Sequence, residues 1–548
     1  MRRRHLLDAL AAAAAGTVLP GAAWARKPQP AQAEVRRLQA HLRFLADPLL
    51  QGREAGTRGF ELAARYVTSQ FAQMGLRPLG EAGGYALLVA LKTARLAATT
   101  PVLELCRGDA CERLAYLDEF ATRPDLSTPR SEVQAPLAFV GYGIQAPRFG
   151  LDDYAGLDVK GCIVVVLSGR PPQLPTEEGA HFGNGRTKAE LAVSRGAVGL
   201  ISLATPRSEI AAPFHASRQY ADSLSMDWRR PDGRGGSEIA GLQAFATVSL
   251  QAAPRLMAAL APDFTALVAD AEAGRPLPRG ALGLSARLVR DSMLGEALSH
   301  NVVGLIEGRH PRLRHEVLLL TAHLDHLGHK PGPAGEIVYP GAMDNAIGMA
   351  TLLEATRVLA AGPAPERSIL VAALTAEEKG SLGSACLAAH PPLPAETLVA
   401  DVNIDMPILL HDFREVVALG AEHSSLGQAV AVAARRLGLA VVDDPMPEQS
   451  RFTRSDQYSF VRRGIPALIL GPGGASFDPR EDGNALMRDF RRQRYHQPGD
   501  DLAQPFHWRA AQRFAQLHVE LLRQLSHEPH RPRWNPGDFF GELYAARR

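Results

Sequence analysis

Val317-Leu318-Leu319-Leu320-Thr321-Ala322-His323-Leu324-Asp325-His326 is an almost unbroken apolar run that ends on two imidazoles and a carboxylate. A strand apolar at nearly every position has both faces covered, as strands of parallel sheets do. Polar residues just past the C-terminal end of such a strand stand where open α/β sheets place their sites. The same pattern recurs outward from this stretch. Residues 368–374 precede Glu377 and Glu378, residues 397–404 precede Asp405, and residues 467–470 are a fourth apolar run. Helical periodicity fills the gaps, most clearly over 348–360 and 425–437. From residue 301 onward the chain therefore reads as α/β, with a mostly parallel central sheet flanked by helices.

At 548 residues two or three domains are expected. The net charge of +2, spread over 60 basic and 58 acidic residues, leaves no field for a nucleic-acid partner. Arg2, Arg3 and Arg4 precede an apolar stretch over 6–19 that ends in Ala23-Trp24-Ala25. Residues 1–25 thus read as a cleavable signal, twin-arginine-like or general secretory, and the mature protein is expected to be periplasmic or secreted. The stretch is too short for stable membrane insertion, and Asp8 interrupts it. Cys106 and Cys111 flank a turn-like Arg-Gly-Asp-Ala and could pair in an oxidising compartment. Cys162 and Cys386 lie in apolar surroundings and read as core.

Two helices are expected before residue 75, over 34–46 and 59–74. From 104 to 282 short strands and turns dominate, and this segment reads as a compact β-rich insert. The main α/β unit is thereby divided into 34–103 and 283–528. The tail over 529–548, rich in Pro, Arg and His, is expected to wrap loosely on the surface.

Taken singly, the polar residues have plain readings. A His-x-Asp is commonly a hydrogen-bonded pair, Glu-Glu a solvated helix start, and Asp344 or Asp405 a helix N-cap. Taken jointly, His323, Asp344, Glu378, Asp405 and His496 supply the imidazole and carboxylate donors that a pair of divalent ions needs. Of the adjacent acids Glu377 and Glu378, one can bind metal while its neighbour stays free as a base. His326 and His329 lie near the same loop.

Five stretches carry a family resemblance. They are Thr321-Ala322-His323-Leu324-Asp325-His326-Leu327-Gly328, Gly341-Ala342-Met343-Asp344-Asn345, Glu377-Glu378-Lys379-Gly380-Ser381-Leu382-Gly383-Ser384, Asn403-Ile404-Asp405-Met406, and Tyr495-His496-Gln497-Pro498-Gly499-Asp500-Asp501. In order and spacing the chain resembles the M28 metallopeptidases, as does Gly52-Arg53 with Gly56-Thr57. The insert, through Val140-Gly141-Tyr142-Gly143-Ile144, Asp153-Tyr154, Val159-Lys160-Gly161 and residues 195–201, is similar to a protease-associated (PA) domain.

The resemblance implies a zinc-exopeptidase-like fold and two Zn2+ ions. Asp344 would bridge the ions, His323 and Asp405 would complete one shell, and Glu378 and His496 the other. Asp325 would hold the His323 ring and Glu377 would act as general base. A cis peptide at Asp344–Asn345 is also implied. The activity implied is that of an aminopeptidase acting on peptides with a free N-terminus through a metal-activated water. Alternatives on the same scaffold are a carboxypeptidase, for which Arg451, Arg454, Arg462 and Arg463 leave room, and a glutaminyl cyclase-like enzyme. From another class comes an inert PA-containing binding protein. The chain departs from the family at Met343, Ile347 and Gln457, none of them an expected metal ligand.

Overall fold

The computed structural model describes residues 30–97, 101–333 and 335–545. The expected signal over 1–25 lies outside them. The two early helices form as α1 (Pro30–Leu45) and α2 (Arg58–Gln73), the latter capped by Thr57, whose side chain accepts the Phe60 N–H. The chain then enters β1 (Ala86–Leu96) and, after the insert, the long strand β2 (Gly280–Ile306). The α/β segment follows as β3 (Val317–His323), α3 (Ile347–Ala361), β4 (Ser368–Leu374), α4 (Leu382–Ala389), β5 (Leu398–Asn403), β6 (Ala467–Pro472) and α5 (Trp508–His527).

These strands lie side by side in the order β1-β2-β4-β3-β5-β6. The centre, β4-β3-β5-β6, is parallel, while β2 runs antiparallel to β4 at one side and β1 antiparallel to β2. Alternation explains the apolar runs. Leu318, Leu320 and Ala322 of β3 enter a core shared with α1, α3 and α5, whereas Val317 and Leu319 enter a second core on the opposite face. The fold class is thus the expected α/β, with helices covering both faces of a sheet whose centre is parallel.

Register is what positions the site. Thr321 pairs with Asn403, and His323 pairs with Leu374, so the C-terminal ends of β3, β4 and β5 reach one edge together. His323, Glu377, Glu378 and Asp405 therefore emerge as neighbours.

The β-rich segment builds a second sheet with its own core around Phe120, Phe139, Val165 and Leu203. It is tied to the main sheet more closely than a detached unit would be. β2 runs through the expected boundary at 282, pairing with Arg130–Phe139 of the insert up to Asp291 and with β1 from Ser292 onward. Ser225–Trp228, from within the insert, pairs antiparallel with β1. Cys106 and Cys111 are joined as a disulfide across a hairpin.

Two expectations are corrected. Cys162 and Cys386 are not core residues but half-buried, each packed against the edge of a core cluster. The tail is not loose. A short helix, Phe539–Tyr544, turns Phe540 and Tyr544 inward at i, i+4 spacing, so both are buried in the second core. Trp534 Nε1 donates to the Gly464 carbonyl at 2.9 Å. The Pro- and Arg-rich composition concealed this aromatic stripe.

Candidate metal centre

His323 is the last residue of β3, and its ring is buried. Its Nε2 lies 3.0 Å from Asp405 Oδ1 and 3.3 Å from Asp344 Oδ1. His496 approaches from the far side, Nε2 being 3.2 Å from Asp344 Oδ2 and 3.1 Å from Glu378 Oε2. Each oxygen of Asp344 thus faces a different imidazole. Two donor groups, His323 with Asp405 and His326 with Glu378, share Asp344 within 4.8 Å spacing. All five residues expected as ligands come together. Donor atoms about 3 Å apart suit a shell with bonds of roughly 2.0–2.2 Å, the range for zinc with nitrogen and oxygen ligands. The residues present fit a pair of zinc ions.

Local backbone explains the convergence. Asp344 sits in an irregular turn before α3, and the Asp344–Asn345 peptide is cis. Asn345 spans the gap to the next ligand: its Nδ2 donates to the Ile404 carbonyl at 2.9 Å, and its Oδ1 accepts the Met406 N–H at 3.1 Å. Thr321 Oγ1 lies 2.9 Å from Asp401 Oδ1 and 3.0 Å from Asn403 Oδ1, which locks β3 to β5 beneath the site.

Charges are strongly perturbed here. Burial opposes charge on the His323 ring, yet the Asp405 carboxylate and hydrogen bonds to Asp344 and Asp405 outweigh it and lift the ring well above its usual range. Burial also opposes ionisation of Asp344, but the two imidazoles hold its carboxyl well below the usual range. Glu377 behaves oppositely: burial, reinforced by Asp405 and Asp456, pushes its carboxyl well above normal. Among the described residues its only side-chain hydrogen bond is from Ser381 Oγ, 3.5 Å from Oε1. One carboxylate is thus engaged while its sequence neighbour is left nearly unbonded.

Asp325 departs from its expected role. Its carboxylate accepts the N–H groups of Glu377 at 3.0 Å and Glu378 at 3.3 Å, and it is the Asp325 carbonyl that lies 3.2 Å from His323 Nδ1. The reason is geometric: β3 and β4 end level, so the side chain faces the exposed amides past β4. His326 belongs to the site, with Nδ1 2.6 Å from Glu378 Oε1. His329 does not; it pairs with Glu336 on a hairpin.

Three supporting residues had no assigned role in the sequence. Arg53 is buried and donates to the carbonyls of Leu324 at 2.9 Å, Pro340 at 2.7 Å, Gly341 at 3.1 Å and also Leu45. Burial draws its guanidinium down to about 10, against the pull of Asp325, Asp500, Asp344 and Glu378. Gly52 beside it has φ +69° and passes so close to Gly328 that a Cβ would meet that carbonyl at 2.2 Å. Asp500 binds the Asp344 loop, and Tyr220, from the insert, places its hydroxyl 2.6 Å from His496 Nδ1. Gly52-Arg53 and Asp500 stood within quoted motifs; nothing in the sequence marked Tyr220.

Solved structures similar to this chain share its fold. An aminopeptidase from Aneurinibacillus sp. strain AM-1 shares the fold with a TM-score of 0.50 at 19% identity, over 91% of this chain and 94% of that one. A peptidase M28 precursor from Shewanella amazonensis SB2B aligns over 92% and 97% at 18% identity and TM-score 0.44. A zinc aminopeptidase from Bacillus subtilis aligns over 91% and 96% at 16% identity and TM-score 0.41. No curated protein matches the chain. Residues 301–522, which hold all five clustered His, Asp and Glu residues, match the model of Peptidase family M28.

Proposed function

We propose that this peptidase is an exported two-zinc aminopeptidase that releases N-terminal residues from peptides. The observation that carries the reading is Asp344, whose two oxygens face His323 and His496 and so serve two donor groups at once. Imidazole with carboxylate suits zinc. Bound there, two zinc ions would supply Lewis acidity toward the scissile carbonyl and lower the pKa of an attacking water.

The chain's own residues do the rest. His323 and Asp405 hold one position, Glu378 and His496 the other, and Asp344 belongs to both. Glu377 takes the proton of the attacking water and passes it to the departing amine. Its carboxylate is suited to this because, among the described residues, no hydrogen bond or ion pair with a basic side chain immobilises it. The insert reads as a PA-type unit bordering the entrance, since Tyr220 and Gln219 touch His496. Export rests on the signal-like residues 1–25. Among the described residues no helix is long and apolar enough to cross a membrane.

The test is hydrolysis of aminoacyl p-nitroanilides, with N-acetylated controls, before and after chelation and zinc add-back. Chelator-sensitive release from free-amine substrates alone, restored by zinc, is expected. Release from acetylated substrates, or activity indifferent to chelation, overturns the reading. A protein that takes up no metal points to the inert binding module instead.

A further inference from the structure

A small pocket of about 60 Å3 opens beside Asp405. Its floor is apolar, formed by Met406, Ile408, Leu419 and Met487, and its rim carries Arg451, Arg454 and Arg491 with Tyr495. Tyr495 joins this rim to the metal centre: its ring stacks on that of His496 with centroids 3.8 Å apart.

The rim holds more positive charge than the protein neutralises. Arg451 pairs with Asp444 at 2.6 Å. Arg454 reaches only the Gln449 carbonyl at 3.3 Å and the Tyr495 hydroxyl at 3.5 Å. Arg491 lies over the Tyr495 ring, 5.8 Å from its centroid, and its Nε is buried without a hydrogen-bond partner. Among the described residues no carboxylate stands within ion-pair distance of Arg454 or Arg491. Asp405, the acid that lines the cavity, is already 3.0 Å from His323. The Arg491 guanidinium therefore lines this pocket with a buried, unsatisfied nitrogen, an arrangement that costs stability unless an anion enters, and the exposed Arg454 stands beside it. Planar guanidinium groups match carboxylates by paired hydrogen bonds, and the apolar floor below suits methylene groups.

We infer that this pocket binds a substrate carboxylate borne on a short aliphatic stem, so that the enzyme favours peptides with an acidic residue beside the scissile bond. The inference rests on the peptidase reading above and deepens it by naming the substrate class. The same carboxylate chemistry could be offered by a Glu or Asp side chain at the N-terminus or by the α-carboxylate of a dipeptide, and the two sources are separable.

The zinc-loaded full chain is assayed on glutamyl and glutaminyl p-nitroanilides, and on a dipeptide against its C-terminal amide. A preference of about tenfold or more in kcat/KM for glutamyl over glutaminyl assigns the pocket to the side chain. The same preference for the free dipeptide over its amide assigns it to the α-carboxylate. Either preference should shrink to within about twofold in Arg491→Gln, and partly in the exposed Arg454→Ala, with Arg491→Lys intermediate and melting temperatures matched to the wild type. Equal rates within both pairs, or a preference that survives Arg491→Gln, overturn the inference while leaving the aminopeptidase reading intact. If no substrate of either pair turns over, that reading fails. Calorimetric binding of L-glutamate against L-glutamine then decides the pocket alone, and equal binding overturns it.

Discussion

Asp500 holds the backbone that presents Asp344: its Oδ1 accepts the Met343 N–H at 2.8 Å and its Oδ2 accepts the Asp344 N–H at 3.0 Å. Burial pushes its carboxyl up to about 6, so the ionised form is maintained here by donors, including Gln504 Nε2 at 2.5 Å. Two acceptor oxygens are needed, and an amide side chain offers one. Asp500→Asn should therefore leave one loop N–H facing a donor and weaken metal retention by about 10- to 100-fold, the usual cost of losing a group that orients a ligand. Competition against a chromogenic chelator measures it; unchanged affinity would show that the loop holds its shape without Asp500.

Glu377→Gln removes the proposed proton carrier and leaves every donor that faces Asp344 in place. Turnover of aminoacyl p-nitroanilides should fall by about 100-fold or more. Two equivalents of zinc should still bind, by elemental analysis. Wild-type turnover would rule out the assigned base.

Arg53 ties α1 and the loop after it to the ends of β3 and the Asp344 turn through four carbonyls. Arg53→Met keeps the aliphatic stem but leaves those acceptors unpaired and the buried acids without their nearby cation. A loss of ~3 kcal/mol in unfolding free energy is expected, read from the urea midpoint.

Tyr220→Phe deletes only the hydroxyl that meets His496 Nδ1. Zinc at that position should then bind about tenfold more weakly, with the melting temperature of the metal-free protein unchanged. Loss of fold instead of affinity would make Tyr220 a packing residue.

His423 joins three parts of the chain, with Nε2 2.6 Å from Glu177 of the insert and Nδ1 2.6 Å from Asp538 of the tail; Glu422 lies nearby. Burial opposes its charge, but hydrogen bonds to Asp538 and Glu177 prevail and lift the ring from 6.5 to about 10. The folded state thus holds a proton that the unfolded state has released above pH 6.5. The stabilisation is complete below about pH 6.5 and is lost as pH rises toward about 10. Melting temperature should fall across that window, and His423→Gln should flatten the fall. Parallel curves for the two proteins would show that the clasp is not protonated.

Much of the centre was legible because its chemistry is local to strand ends. A strand buried on both faces is apolar nearly throughout, so the first titratable residues past Leu320, Leu374 and Ile404 stand out in one dimension, and parallel strands of equal register bring them to one edge. His323, Asp405 and the Glu377–Glu378 pair follow from that, while the choice of Glu378 over Glu377 was what the resemblance implied. The disulfide partners were legible for a similar reason, being five residues apart across one turn. What depended on tertiary structure was every contact between distant segments. Arg53 bonds to residues 271 to 288 positions away, and Tyr220 meets His496 across 276. Asp325 turned toward the amides past β4 rather than toward His323, and the tail buried Phe540 under a sheet whose sequence lies far upstream. No periodicity encodes such pairings, because they arise only when separately readable elements pack and each buried polar atom must find whichever partner the packing brings near.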